Sequence, residues 1–404
     1  GFVLAFIDLD GFKTVNDSRG HPVGDALLCE VAMALRKLAP ADAFIARPGG
    51  DEFVLLLPGD RAAADALAAA VCRRLAEPFV LGGHTLRIGA SVGLVASPDD
   101  GRERVELMRR ADLAMYAAKS AGRSRHAWFS AALDERAAAR AWLQAELPLA
   151  LQRNELCLHY QPRVRAQGRE LASVEALVRW PHPQRGMIPP MQFVPLAEET
   201  GLVEALGRWV LDAACAQQRR WRDAGVPVPR VAVNVSALQL ADAGFAAEVL
   251  ATLQRHGLQP ADLEIELTES LFAGDTDEVT ARLQPLRDAG VLVALDDFGT
   301  GFSSLSSLYR LPVDVLKIDR SFVHHMLDDS QDRAIVEGVI GLARTFGCVV
   351  VAEGVESPAQ ARTLLDMGCD IGQGTGIAAP MPAGQVAAWV REYKGMFALA
   401  PAVA

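Results

Sequence analysis

Residues 295–305 read Leu-Asp-Asp-Phe-Gly-Thr-Gly-Phe-Ser-Ser-Leu ("LDDFGTGFSSL") and close the apolar run Val291–Leu295 with two adjacent aspartates. An Asp-rich turn with glycines for positive φ would explain the stretch without function. Adjacent aspartates at a strand end repel each other, however, unless a cation offsets them. The same arrangement recurs outward from here. Short apolar runs stand at Leu171–Val178, Val231–Val235, Leu263–Leu267, Val315–Ile318, Val349–Ala352 and Asp370–Ile371. A loop and an amphipathic stretch follow each. Within or just after them stand Glu175, Asn234, Glu266, Lys317, Glu353 and Gln373. A buried strand has no reason to carry an acid, since burying an unpaired carboxylate is costly. A recurring set therefore implies convergence on one mouth rather than scattered surface charge. Repeated βα units over ~250 residues predict a (β/α)₈-type barrel with its active groups at the C-terminal ends of the strands.

The first third of the chain has another rhythm. Strand-like runs Val3–Ile7, Phe53–Leu57 and Leu86–Val95 alternate with helical stretches Gly24–Leu38, Arg61–Leu75 and Glu106–Ala121. That predicts a small α/β domain with a central sheet flanked by helices. Between the two regions, Ala131–Leu147 ("AALDERAAARAWLQAEL") reads as a connecting helix ended near Pro148. The expected organisation is an α/β domain over 1–130, a linker helix over 131–147, a TIM-like α/β barrel over 148–395 and a tail over 396–404.

Half of the 404 residues are hydrophobic and the net charge is −10. An acidic chain is a poor partner for nucleic-acid polymers, which need a basic surface, although phosphates remain accessible through a metal or a few arginines. The six cysteines, at 29, 72, 157, 215, 348 and 369, form neither a disulfide framework nor a zinc pattern. No apolar run approaches the ~18 residues of a membrane span, and no signal peptide is visible. The expectation is a cytoplasmic chain, or the cytoplasmic portion of a longer membrane-associated sensor. Because Gly1–Ile7 opens directly into a strand-like run, an N-terminal cut is expected.

In the second region the candidate donors are Glu175, Asn234, Glu266, Asp296 and Asp297, hard oxygen ligands with one amide. That inventory suits Mg²⁺ or Mn²⁺ rather than zinc. Two bridged ions about 3.5–4 Å apart would polarise a phosphoryl oxygen and ionise a water. Lys317 would orient that water or offset the developing charge, and Arg179 supplies a fork for a phosphate. The residues predict metal-assisted phosphodiester hydrolysis.

In the first region, "IARPGGDEFVLLL" (45–57) places Gly49-Gly50 and Asp51-Glu52 between apolar runs. "FIDLDGFKTVNDSRGHPVGD" (6–25) adds Asp8 and Asp10 at a strand end, then Lys13, Asn16 and Asp25. In "ADLAMYAAKSAGR" (111–123), Lys119 and Arg123 lie four apart and share a helix face. Asp8 and Asp51 could hold Mg²⁺ on a triphosphate, with Lys119 and Arg123 as phosphate cations and the glycines allowing close backbone approach. The alternative is a plain hairpin turn, with Lys119 and Arg123 solvating a helix end near Gly122 and His21 capping a loop.

Two family resemblances emerge. "YQPRV" (160–164), "VEALVRW" (174–180), "VAVNVS" (231–236), "EIELTES" (264–270), "LDDFGTGFSSL", "DVLKIDRSFV" (314–323), "VVAEGVES" (350–357) and "GCDIGQG" (368–374) resemble the EAL family of cyclic di-GMP phosphodiesterases. The resemblance implies a TIM-like barrel that linearises cyclic di-GMP to pGpG. It makes Glu175, Asn234, Glu266, Asp296 and Asp297 metal ligands, and Lys317 and Glu353 catalytic groups around the attacking water. By the same resemblance Glu269 holds the loop after Asp297, "FGTGFSS", in place. Gln161, Leu177, Arg179, Glu356 and Gln373 become substrate-side groups. The family continues its Gln-Gly pair with aromatic and basic residues, where this chain has Thr375, Ile377 and Ala379; weaker substrate binding is expected from that departure.

The first region resembles the GGDEF family of diguanylate cyclases, which condense two GTP into cyclic di-GMP. The resemblance puts Asp8, the Leu9 carbonyl and Asp51 on the metal, and makes Glu52 the signature's second acid. Asn16 and Asp25 would read guanine, and Lys13, Lys119 and Arg123 would meet phosphates, with Gly49 and Gly50 in the turn. The family's upstream helix is not in the chain. An Arg-x-x-Asp inhibition motif would fall on Pro40 and Ala43 and is absent, so feedback through it is not expected. Both families imply a homodimer. The expected function is cyclic di-GMP hydrolysis with a GTP-binding regulator. The alternatives are a bifunctional enzyme that also makes cyclic di-GMP, and a non-catalytic sensor, which predicts lost metal ligands.

Overall fold

The computed structural model describes residues 1–167, 170–273, 276–299 and 312–393. The expected loop over 300–305 and the tail over 396–404 lie outside the described residues. The chain divides into two compact units, Gly1–Trp142 and Leu143–Ala404.

The first unit is built on a sheet of β1 (Phe2–Asp10), β2 (Phe44–Gly49), β3 (Glu52–Pro58), β6 (Gly89–Ser97) and β7 (His126–Trp128), in the order β2-β3-β1-β6-β7. The period-two alternation of β1 sends its side chains to opposite faces. Val3, Ala5, Ile7 and Leu9 pack with α2 (His21–Leu38) and α3 (Arg61–Ala76), whereas Leu4 and Phe6 pack with α4 (Arg104–Ser120). Gly93 lets α4 lie directly on β6: a Cβ there would come within 1.9 Å of the Ala111 carbonyl and 2.3 Å of the Met115 amide nitrogen.

The expected strand Leu86–Val95 is two strands. Leu86 ends β5 (His84–Leu86), which pairs only with β4 (Phe79–Leu81), while β6 pairs with β1. The helix α1 (Phe12–Arg19) escaped the sequence reading, and strand β2 entered it only as the first arm of the hairpin over 45–57. Only Phe12 and Val15 of α1 are buried, and β2 is a largely exposed edge strand, so neither carries a strong apolar period.

The linker helix corrects another expectation. It runs Ala131–Gln152, straight through Pro148. Proline forfeits one intrahelical hydrogen bond, but Leu143, Leu147 and Ala150 form a buried stripe that spans the proline and keeps the helix together.

The second unit is an eight-stranded barrel. Its strands are β8 (Cys157–Arg165), β9 (Leu171–His182), β11 (Val231–Asn234), β12 (Leu263–Thr268), β13 (Leu292–Phe298), β14 (Val315–Ile318), β15 (Val349–Ala352) and β16 (Ile371–Gly372). The ladder runs from β9 through β11–β16 to β8, and β8 closes on β9. A hairpin strand β10 (Gly186–Ile188) extends β9, and β17 (Met381–Pro382) pairs with β8. Seven strands are parallel, but β8 runs antiparallel to both neighbours. Only residues 166–170 join β8 to β9, too few for the crossover of a dozen or more residues that a parallel partner requires.

Alternation along the strands separates two cores. Val233, Ile265, Val293, Leu316 and Val350 face outward into the main cluster with the surrounding helices. Each such fully buried side chain contributes ~1.5–3 kcal/mol. Ala294, Val315, Val351 and Ile371 form a separate interior cluster. Two residues on, in the same parity, stand Asp296, Lys317, Glu353 and Gln373. The inward parity that fills the barrel thus delivers polar side chains to its C-terminal mouth. No helix among the described residues is long and apolar enough to cross a membrane.

Candidate active site

At the barrel mouth Lys317 is fully buried, and its Nζ lies 2.7 Å from Glu266 Oε2, 2.8 Å from Asp296 Oδ1 and 2.7 Å from Glu353 Oε1. Glu175 Oε1 accepts from Asn234 Nδ2 at 2.8 Å and Glu175 Oε2 from Gln373 Nε2 at 2.6 Å. Gln373 Nε2 also reaches Gln161 Oε1 at 3.0 Å. Glu269 is buried, and its Oε2 accepts from the Gly299 amide at 3.1 Å, fixing the start of the turn after Asp297. Asp297 adopts φ 55°, a left-handed conformation uncommon outside glycine, with its amide donating to Asp296 Oδ1 at 2.9 Å.

Sequence reasoning missed Arg163 and Glu264. Arg163 is fully buried; its Nη2 lies 3.0 Å from Glu175 Oε2 and also pairs with Glu266 Oε1. Its Nη1 lies 2.9 Å from Glu264 Oε1, and its Nε donates to Gln373 Oε1 at 2.6 Å. The signal was available: Arg163 stands two residues after Gln161 and shares its strand face.

The electrostatics follow from this crowding. Burial pushes the Glu266 carboxyl up to about 8 and that of Glu353 up to about 7, against the pull of Arg163 and Lys317 on the first and of Lys317 on the second. Burial, then Asp296, raises Asp297. Against the upward push of burial, Lys317 and Arg163 hold Glu175 well below the usual carboxylate range. Glu175, Glu264, Glu266, Asp296, Asp297 and Glu353 are six carboxyls around two buried cations, Arg163 and Lys317, with Arg230 3.6 Å from Glu264. Acids outnumber cations, and divalent ions would neutralise the surplus that appears when Glu266 and Glu353 ionise. Asp296, Asp297 and Glu353 can each turn a carboxylate oxygen to within 4.8 Å of the others. Hard oxygen donors, surplus negative charge and burial fit a divalent cation such as Mg²⁺ or Mn²⁺.

The substrate-side residues divide. Gln161 and Gln373 belong to the hydrogen-bonded mouth. Leu177 and Arg179 are half-buried on the same face of β9 as Glu175, with Arg179 Nη1 donating to the Val178 carbonyl at 2.8 Å. Glu356 has a half-exposed carboxylate that lies 3.4 Å from His324 Nδ1. Of the three departures, Thr375 and Ala379 are exposed and Ile377 is buried in the main core.

In the first unit, the β1–β3 register places Asp8 opposite Glu52. Lys119 Nζ lies 2.7 Å from Asp8 Oδ1, so it does more than solvate a helix end. Burial raises the carboxyl of Asp8, as it does that of Glu52. The Leu9 amide donates to the Asp51 carbonyl at 3.3 Å, holding the hairpin against β1. Gly50 takes φ 53°, and its carbonyl accepts from Arg47 Nε and Nη2 at 2.9 and 2.7 Å. Asn16 Oδ1 is buried without a hydrogen-bond partner beside Gly24, where a Cβ would come within 1.9 Å of it. Lys13, Asp25, Gly49 and Arg123 are exposed.

Asp10 is the residue underread here. It accepts from Ser91 Oγ at 2.9 Å and from the Ser124 amide at 3.0 Å. It thereby ties down Arg123 and Ser124, both in left-handed conformations at φ 58° and 49°. Among the described residues, a triad of carboxylates close enough to share an ion occurs at the barrel mouth and not here.

Comparison with known proteins agrees with this division. The family model for the EAL domain matches residues 144–380, more than half of the chain, and that for the diguanylate cyclase, GGDEF domain, matches residues 1–125. The bifunctional diguanylate cyclase/cyclic di-GMP phosphodiesterase MucR of Pseudomonas aeruginosa is 48% identical over 391 residues, 96% of this chain and 57% of that protein. The cyclic di-GMP phosphodiesterase PdeR of Escherichia coli is 39% identical over 391 residues, 96% of this chain and 59% of that protein. The chain thus spans between half and two thirds of these relatives. Among solved structures, the phosphodiesterase of P. aeruginosa MucR in complex with c-di-GMP superposes with a TM-score of 0.59 at 48% identity, covering 61% of this chain and 99% of that one. The EAL domain of Mycobacterium smegmatis DcpA gives 0.51 at 38% identity, covering 59% of this chain and 97% of that one. The chain belongs to the EAL domain family, with a GGDEF domain ahead of the barrel.

Proposed function

We propose that the barrel hydrolyses cyclic di-GMP to linear pGpG and that the first unit binds GTP as a regulator. The observation that carries this reading is the buried ammonium of Lys317 held by Glu266, Asp296 and Glu353 at a mouth whose acids outnumber its cations.

Glu175, Asn234, Glu266, Asp296 and Asp297 would hold Mg²⁺ or Mn²⁺, as one or two ions. Bound there, the metal supplies a polarised phosphoryl oxygen and an acidified water. The chain's own groups do the rest. Glu353, raised to about 7 by burial, is poised near neutrality to take a proton from the attacking water. Water adds to phosphorus, the bond to the ribose 3′ oxygen breaks, that oxygen leaves as the 3′ hydroxyl with a proton from solvent, and a 5′-phosphate remains on the linear product. Lys317, fixed by three carboxylates, keeps its charge beside the water and the reacting phosphate. Gln161, Gln373, Leu177 and Arg179 line the approach as substrate-side groups. Glu356, beside His324, would meet the substrate with its half-exposed carboxylate. Glu269, through Gly299, holds the turn that carries Asp297.

In the first unit, Asp8, the Leu9 carbonyl and Asp51 would hold Mg²⁺ on GTP. Lys13, Lys119 and Arg123 would meet phosphates, Asn16 and Asp25 the guanine. Gly49, Gly50 and Glu52 shape the hairpin. A homodimer and a cytoplasmic setting complete the reading. A second reading adds synthesis of cyclic di-GMP from two GTP; the bifunctional relative at 48% identity supports it. A non-catalytic sensor is disfavoured, because all five expected ligand residues are present in the barrel.

The test is incubation of the purified chain with cyclic di-GMP and Mg²⁺. Linear pGpG is expected, and its absence overturns the reading. The Glu175→Ala variant should lose turnover. Added GTP should change the hydrolysis rate; an unchanged rate with GTP bound removes the regulatory claim. Cyclic di-GMP formed from GTP by the Glu175→Ala variant would establish the second reading.

A further inference from the structure

The interior of the barrel poses a physical question. On β13–β16 the layer below the mouth is filled by Ala294, Val315, Val351 and Ile371. On the flanking strands β12 and β8, the inward positions below the mouth carry Glu264 and Arg163, both buried. Burying an ion pair costs desolvation, and apolar side chains of similar volume often serve stability equally well. A buried arginine with that alternative next to it calls for another explanation.

Its partners supply one. Nε and Nη1 of the guanidinium donate hydrogen bonds, Nη2 meets its two carboxylates as an ion pair without hydrogen-bond geometry, and three of the four partners belong to the mouth. Nη2 lies 3.0 Å from Glu175 Oε2 and also holds Glu266 Oε1. Nε holds Gln373 Oε1 at 2.6 Å, and Gln373 in turn donates to the same Glu175 oxygen at 2.6 Å. Glu264 anchors the remaining nitrogen, Nη1, from below at 2.9 Å. Glu266 is therefore held at both oxygens, at Oε1 by the charge of Arg163 without a hydrogen bond and at Oε2 by a 2.7 Å hydrogen bond from Lys317. Glu175 is gripped likewise by Asn234 on one oxygen and by Arg163 and Gln373 on the other.

We propose that Arg163 is a positioning residue: its planar fork, seated on Glu264, sets the orientation of the Glu175 and Glu266 carboxylates and of Gln373, and so preforms the oxygen set that takes the divalent cation. The inference rests on the reading of the barrel mouth as a metal centre. The fork is what matters. A guanidinium has nitrogens aimed along three directions in one plane, whereas an ammonium is a point charge that cannot serve Gln373, Glu264 and Glu175 at once. Outer groups of this kind act on metal affinity through the ligands they orient.

The test is Mn²⁺ binding to the full chain without nucleotide, read from the loss of the free-ion electron paramagnetic resonance signal. Sites present in the native chain and absent from Glu175→Ala are those of the barrel. If the native chain has no such site, the metal reading itself falls. If it has one, Arg163→Lys, which keeps the charge and loses the fork, is expected to weaken it about 10–100-fold. The paired variant Arg163→Met with Glu264→Met removes both buried charges together, keeps the volume, and is expected to weaken the site in the same way. A purely structural role would change the melting temperature in chelator and leave Mn²⁺ affinity alone. Either variant, folded by circular dichroism and holding Mn²⁺ within twofold of the native chain, overturns the proposal.

Discussion

Lys317 Nζ and Glu353 Oε1 stand 2.7 Å apart at the barrel mouth, a cation and an acid that arrive from the ends of neighbouring parallel strands. In the proposed hydrolysis each has a distinct part, and each loss a distinct signature. Glu353→Gln keeps the shape and removes the proton acceptor. Its kcat for cyclic di-GMP should fall by about 10²–10⁴-fold, with KM within a few-fold. Single-turnover measurement of pGpG formation separates the two parameters, and an unchanged kcat would remove Glu353 from the chemistry.

The same crowding makes stability depend on pH. Glu266 titrates at about 8 and Glu353 at about 7, both above the ordinary 4.5 because of burial. A carboxyl whose folded pKa is raised binds more protons folded than unfolded, so stability falls as pH rises from the unfolded to the folded value. Glu175, held low, acts below this window. The metal-free chain should therefore lose melting temperature between about pH 5 and 8, and Mn²⁺ should restore more of it at the upper end. Calorimetry with chelator and with Mn²⁺ decides; a flat metal-free profile would mean that protons do not replace the missing cation.

In the first unit, Asp10 bonds Ser91 and the Ser124 amide and so holds the left-handed residues Arg123 and Ser124 in place. Asp10→Asn weakens both bonds, leaves the Asp8–Lys119 pair in place and removes a negative charge that acts on Asp8. Hydrogen bonds to a charged group contribute about 1.5–3 kcal/mol, so GTP affinity should fall about 10–100-fold if Arg123 meets the phosphates. A fluorescent GTP analogue reports it. Unaltered binding would detach the Arg123 loop from the nucleotide.

How much of this was legible in the sequence varies with the physics of each element. The parallel barrel strands are short apolar runs that end in polar residues, a recurring pattern that scattered surface charge does not produce, and they form within a residue or two of where they were expected, except that β9 runs on to His182 and β13 to Phe298. The antiparallel β8 was not read as a strand: its alternation of Leu158, Tyr160 and Pro162 against Gln161 and Arg163 is not an apolar run. Arg163 goes with it, because acids at strand ends signal a metal site whereas an arginine below them reads as surface until the barrel closes. The helix through Pro148 was misjudged because local propensity counted and the buried stripe of Leu143 and Leu147 did not. Glu356 was placed by resemblance alone, and its contact with His324 is a tertiary fact no spacing reveals.

The packing of α4 offers a stability test. A Cβ at Gly93 would lie 1.9 Å from the Ala111 carbonyl and 2.3 Å from the Met115 nitrogen, both backbone atoms that cannot turn aside. Gly93→Ala should lower the stability of the first unit by about 1–3 kcal/mol. Lys119 rides on α4 against Asp8, so GTP affinity should fall with it. Urea unfolding, read beside GTP binding, checks both, and an unchanged unfolding midpoint would show that helix and strand are looser here than the geometry states.

The departures after Gln373 can be separated by burial. Ile377 lies in the main core, so an aromatic residue there must displace neighbours in a packed interior; Ile377→Phe should destabilise the barrel by about 1–3 kcal/mol and do nothing for substrate. Thr375 and Ala379 are exposed close to Gln373, where a side chain can reach an anionic ligand without repacking. Ala379→Arg places a fork on that rim, and one charge-assisted bond to a phosphate contributes about 1.5–3 kcal/mol. Affinity for cyclic di-GMP should therefore rise about tenfold, with kcat little changed, because no group around the attacking water moves. Isothermal titration in Ca²⁺, chosen to slow turnover, gives the affinity. If Ala379→Arg binds no tighter while Ile377→Phe stays fully stable, the substrate's phosphates do not pass this rim.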